Sequence, residues 1–176
     1  MRKNLAFAFF IFTFTACQQK ESSPKQTEYI DLQGFFSVEA KRLNKIKPKL
    51  LKTVGVNENR EQQLLSKSVD WEKELSVFKE ADINKPAFKG MYQISRLPGK
   101  TLYTALSKKA LVQRVEIDWG LTKKPIGIRI FQVTKNIIYQ STDTLSYYPD
   151  SVYSIHKKQV VRVLGTTFYT INGKFN

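Results

Sequence analysis

Pro125-Ile126-Gly127-Ile128-Arg129-Ile130-Phe131-Gln132-Val133 places Ile126, Ile128 and Ile130 on one side of an extended chain. An apolar residue at every second position is the mark of a strand with one buried face. The same period runs in both directions from this stretch. Before it lie Met91 to Arg96, Thr101 to Ser107 and Leu111 to Trp119, where Leu111, Val115 and Ile117 share a face. After it come Ile137 to Tyr148, Ser151 to His156, Gln159 to Leu164 and Thr167 to Phe175. Leu97-Pro98-Gly99-Lys100 has the Pro-then-Gly order of a type II turn. Links this short join neighbouring antiparallel strands. Residues 88–176 therefore read as an antiparallel β-meander of about eight strands.

Upstream the period changes. Leu32, Phe35, Phe36, Ala40 and Leu43 recur at helical spacing, with Asp31 as N-cap and Pro48 against continuation. Trp71, Leu75, Phe78 and Ala81 mark a second helix that starts at Asp70 and ends before Pro86. Between them, Lys49 to Val56 and Glu61 to Lys67 form a candidate hairpin around Asn57-Glu58-Asn59-Arg60. The expected fold class is α+β: two N-terminal helices packed on a curled antiparallel meander. Residues 28–87 are the helical segment and join 88–176 in one domain.

The N-terminus carries a different signal. Arg2 and Lys3 precede an uncharged, Phe-rich run from Asn4 to Ala16. A basic start followed by a short apolar run is an export signal, and the run falls short of the ~20 residues of a membrane span. It closes on Phe14-Thr15-Ala16-Cys17, which resembles the lipobox of bacterial lipoproteins, although Phe14 stands where Leu is usual. The resemblance implies a signal peptide over 1–16, cleavage between Ala16 and Cys17, and lipid attachment at Cys17. Gln18 after the cysteine implies sorting to the outer membrane. Residues 17–27, with Gln18 to Thr27 polar, then read as a lipidated tether without the apolar content of a core.

Cys17 is the only cysteine, so an internal disulfide is excluded. The formal charge is +14, and removing Arg2 and Lys3 leaves 27 basic against 15 acidic residues, or +12. Of the 29 basic residues 22 are Lys, a diffuse positive field rather than the Arg-rich pattern that grips phosphates bidentately. Nucleic acid is not an expected partner. Three Lys-Lys pairs, at 108–109, 123–124 and 157–158, are expected in turns at both ends of the sheet as solvated tips.

Sequence motifs for chemistry are sparse. His156, the one histidine, is expected to be exposed in a turn beside Lys157 and Lys158. No cofactor, metal site or catalytic residue is expected, because a zinc site draws on several His or Cys ligands. Glu116 and Asp118, which alternate on one strand, and Asp143 and Asp150, near turns, read as a solvated face. Tyr139 and Tyr147 share a strand face and are candidate linings of an apolar ligand cavity.

The segments Asp70 to Leu75, Ala81 to Phe88 and Tyr169 to Phe175 resemble those of small bacterial lipoproteins with a lipidated start, two helices and a β-meander. The resemblance implies address and architecture and brings no catalytic residue. Two functions are expected to compete. One is a lipid-anchored, non-enzymatic envelope accessory protein that offers a sheet surface to a protein or envelope partner. The other is a carrier that holds an apolar ligand in a half-barrel under the helices.

Overall fold

The computed structural model describes residues 28–65 and 69–175. The sequence expectations for Ala16, Cys17 and the tether lie outside the described residues.

Helix α1 spans Leu32–Ile46. Asp31 caps it, its side chain accepting the Gly34 N–H at 2.7 Å. It ends where Lys47 turns left-handed at φ 49° and donates its N–H to the Leu43 carbonyl. Such a residue closes a helix, and Pro48 directly after it blocks extension. Leu32, Phe36, Ala40 and Leu43 are fully buried, as their spacing predicts, and Glu39 is buried with them. The second helix is not continuous. Trp71–Glu74 (α2) and Ser76–Glu80 (α3) are separate short turns, parted at Leu75. Trp71, Leu75, Phe78 and Ala81 nevertheless all face the core. A single 3-10 turn, Pro86–Phe88, leads into the meander.

The strands are β1 (Leu50–Val56), β2 (Asn59–Leu65), β3 (Tyr92–Leu97), β4 (Lys100–Ala105), β5 (Val112–Trp119), β6 (Pro125–Lys135), β7 (Tyr139–Tyr148), β8 (Val152–Val161) and β9 (Gly165–Phe175). They form one sheet in the order β2-β1-β9-β8-β7-β6-β5-β4-β3, antiparallel at every pairing. The sheet is open, with β2 and β3 at its edges.

Three differences from the sequence expectations have clear causes. The meander has seven strands, β3 to β9, because Val152–Val161 runs unbroken where the sequence predicts a turn at His156-Lys157-Lys158. Both neighbouring strands supply ladder partners through that point, Thr144 and Thr170 flanking His156. Asp143 likewise sits within β7, not near a turn, and pairs with Lys157 at 3.4 Å. Finally, the early hairpin is not an appendage. Strand β1 pairs along its whole length with β9, from Leu50↔Phe175 to Val56↔Tyr169, and extends the sheet to nine strands. The hairpin turn is tighter than expected, with only Asn57 and Glu58 between strands. Asn57 takes a left-handed backbone, φ 54. Asn tolerates that conformation better than most residues.

The core lies between the helices and one face of the sheet. Phe36 stacks on Phe78 at 4.9 Å, and Tyr147 meets Phe36 edge-on at 5.2 Å. Trp71 and Phe175 are 5.4 Å apart. Val115, Ile117, Ile128, Ile130 and Leu145 complete the sheet side with no exposed surface. Aromatic pairs in these geometries add to the burial of the rings themselves.

Candidate functional site

Two carboxylates, Glu39 buried and Glu74 partly buried, tie the helices to the sheet. Glu39 on α1 accepts the hydroxyl of Tyr147 on β7 and binds Arg42 through two contacts, at 2.7 and 2.8 Å. Arg42 continues to Asp150 in the β7/β8 turn at 2.7 Å. Glu74 on α2 accepts the hydroxyl of Tyr153 on β8 and the Lys52 ammonium of β1 at 2.6 Å. Burial, and then the carboxylate partner, hold both phenols protonated well above the ordinary tyrosine range. The Arg42 guanidinium is held charged even more firmly, first by its hydrogen bond to Glu39. These networks are struts: each charge in them is paired.

Tyr139 and Tyr147 share a face of β7 as expected, but among the described residues no cavity joins them. Tyr147 fills the core against Phe35, Phe36, Phe78 and Phe175. Tyr139 is half-buried at the far end of the strand, paired with Val161. Eight residue steps of about 3.3 Å separate them.

The carboxylates weighed from the sequence are also engaged. On the face of the sheet away from the helices, Glu116 binds Arg114 at 2.9 Å and Arg129 at 2.8 Å. Asp118 binds Lys100 at 3.1 Å and lies 3.7 Å from Arg129. The Arg114 guanidinium stands 4.3 Å from the Phe131 ring, close enough for a cation–π contact. This is a cross-strand charge ladder. Among the described residues no group of three or more His, Cys, Asp or Glu is placed to hold a metal ion.

Among the described residues, two recesses stand out. One, of about 780 Å³, lies at the start of α1 between Glu28, Asp31, Asp82, Asn84, Lys85 and Lys89. Here Asp82 accepts the Leu32 N–H at 3.1 Å, and its pKa is raised, chiefly by burial. The other, of about 430 Å³, lies across β7, β8 and β9 and is lined by eight residues, among them Thr142, Thr144, His156, Lys158, Phe168 and Thr170. Thr142, Lys158 and Phe168 form one rung of the ladder, and Thr144, His156 and Thr170 the next. Phe168 is half exposed, and the Lys158 ammonium lies 5.9 Å from its ring. The Phe168 main chain is held by Asn57: its carbonyl accepts the Asn57 N–H at 2.8 Å, and its N–H donates to the Asn57 side-chain Oδ1 at 3.0 Å. The sequence reading of His156 as exposed holds, while its placement in a turn does not. Ladder pairing puts Phe168 opposite Lys158 and Thr142, on the other face of the sheet from Tyr147. The sequence signal for this recess is thin, because its eight lining residues come from three strands.

The fold defines a sheet-dominated protein whose open, nine-stranded antiparallel sheet carries helices on one face. No protein-family model matches the chain, and neither a curated protein nor a solved structure matches it significantly.

Proposed function

We propose that this chain is a lipid-anchored, non-enzymatic accessory protein of the bacterial envelope, held in the outer membrane through Cys17, that presents its uncovered sheet face to a protein partner. The anchor rests on the sequence Arg2 to Cys17. The binding role is carried by one observation: Phe168 stands half exposed in a recess on a sheet face that no helix covers among the described residues. The surrounding Thr, His and Lys side chains supply the polar rim that a protein contact uses around an aromatic anchor. The non-enzymatic reading is supported by the engaged state of Glu39, Glu74, Glu116, Asp118, Asp143 and Asp150. A large twisted sheet coils around what covers it, and we take the helix-covered face as the concave one.

A carrier needs room under the helices. That space is filled by Trp71, Tyr147, Tyr153, Phe36 and Phe78, each almost fully buried. Packing of this kind favours the partner-binding function.

The test pairs two variants in the producing bacterium. Cys17→Ser is expected to lose the acyl mass and to leave the membrane fraction; a membrane-bound product of unchanged mass refutes the anchor. Phe168→Glu is expected to stay anchored and folded yet lose site-specific photo-crosslinks made from position 170. Crosslinks unaffected by Phe168→Glu refute the sheet-face contact.

A further inference from the structure

We infer that one end of the sheet docks onto the lipid bilayer itself, its hairpin tips entering the headgroup region as a second membrane contact beside the acylated cysteine. This rests on the proposed anchor for its orientation, but the docking can be tested apart from it.

In an up-and-down sheet successive turns alternate between ends. The β4/β5, β6/β7 and β8/β9 connections therefore share one end, and the β3/β4, β5/β6 and β7/β8 connections the other. At the first end the connections read Leu106-Ser-Lys-Lys-Ala-Leu111, Lys135-Asn-Ile-Ile138 and Arg162-Val-Leu164. Each of these three couples aliphatic residues to basic ones and contains no acid; the β1/β2 turn at the same end carries Glu58, but it stops at the level of Phe168, short of the tips. Ile137, Val163 and Leu164 are 88, 89 and 84% exposed. The two long hairpins are neighbours, joined at the tip where the Arg162 N–H donates to the Ile138 carbonyl at 3.0 Å. Exposed large aliphatics side by side are rare on a soluble surface without a purpose. Basic residues around them complement anionic headgroups.

The position of the first described residues selects the bilayer as the occupant. Tyr29 is fixed by Asn84, which accepts its N–H and donates to its carbonyl, and by its own hydroxyl, which accepts the Tyr92 N–H. Tyr92 pairs with Ala105, the last residue before the Leu106–Leu111 connection. The C-terminal half of α1 lies toward the other end, where Arg42 reaches Asp150. The chain thus enters the body at the end that bears the tips. Eleven residue steps separate Cys17 from Glu28. Fully extended, at roughly 3.3 Å per residue, they reach about 36 Å at most. The Tyr92 hydroxyl bonds the Val112 carbonyl, and Val112 faces Gln132, so Gln132 marks the Tyr92 level on β6. Ile137 lies five residues beyond Gln132. At about 3.3 Å per residue the tip therefore projects roughly 16 Å past that level. The leash spans that distance with length to spare, so the tips can touch the surface that holds Cys17. The opposite end also bears exposed aliphatics, Leu97, Leu121 and Ile126, beside Lys123 and Lys124, but it is not where Tyr29 enters the body, and its β7/β8 turn contains Asp150.

The experiment uses the full mature protein, purified from its envelope and reconstituted in vesicles of phosphatidylethanolamine with phosphatidylglycerol. With the Cys17 sulfur acylated, Ile137→Cys, Val163→Cys or Lys123→Cys supplies one free thiol for a fluorophore. Labels at 137 and 163 are expected to be quenched at least threefold more by brominated lipid than the label at 123. Glutamate at Lys108, Lys109, Lys135 and Arg162 together is expected to reduce that quenching at least twofold. Equal quenching at all three sites overturns the inference, as does protection at the tips that appears only when envelope proteins are added. Intact mass reports the anchor separately. An acylated protein with unquenched tips sinks the docking alone. An unacylated protein whose tips are quenched on adding vesicles sinks the anchor and sustains the docking.

Discussion

The hydroxyl of Tyr147 donates to the carboxylate of Glu39, joining β7 to α1 across 108 residues of chain. Around this contact a buried acid, a buried phenol and Arg42 satisfy one another, and Arg42 passes the connection to Asp150. A charge in the core is tolerable only with such partners.

Removing Glu39 therefore costs more than removing the phenol oxygen. Glu39→Ala leaves the buried Tyr147 hydroxyl without its acceptor and Arg42 with Asp150 alone, and is expected to destabilise by about 2–3 kcal/mol, against about 1 kcal/mol for Tyr147→Phe. Urea unfolding with an unchanged m-value checks both.

Gly173 has no room for a methyl group. It faces Tyr153 across the β8/β9 ladder, and a Cβ there would overlap the tyrosine ring. Gly173→Ala is expected to cost about 1–3 kcal/mol through overpacking. In a Tyr153→Ala background the same change should cost almost nothing. A double-mutant cycle showing no coupling would contradict the close approach.

Alkali should unfold the protein through its buried phenols. Burial pushes Tyr92 up to about 12, and Tyr147 and Tyr153 are raised further in the same direction. The folded state keeps protons that the unfolded chain releases near pH ~10, so stability falls as pH rises above that value. The expected result is a loss of stability from about pH 10 upward that becomes shallower in Tyr92→Phe. Denaturant midpoints across that range measure it.

Asp82 should act in the acid range with the same sign. Its carboxyl pKa is raised, first by burial. Its contribution is largest while it stays protonated and declines as pH climbs from the ordinary aspartate value through the raised one. Asp82→Asn keeps an oxygen for the Leu32 N–H and removes the titration. Its stability curve is expected to be flatter than the parent's just above pH ~4.

Local patterns in the chain determined the element types. Alternation in Pro125 to Val133, helical spacing from Leu32 to Leu43 and the Asp31 cap each depend on neighbours within a turn or two, so the residues that carry them are readable in order. The same locality makes the signal at Arg2 to Cys17 legible. What the tertiary structure alone decided involves partners far apart. Strand β1 lies on β9, and β8 runs straight through His156-Lys157-Lys158 because the strands bearing Thr144 and Thr170 flank it. Glu39 is buried because Tyr147 and Arg42 meet it. Ladder pairing and charge compensation are set by which segments become neighbours in space, and short-range periodicity holds no record of that choice.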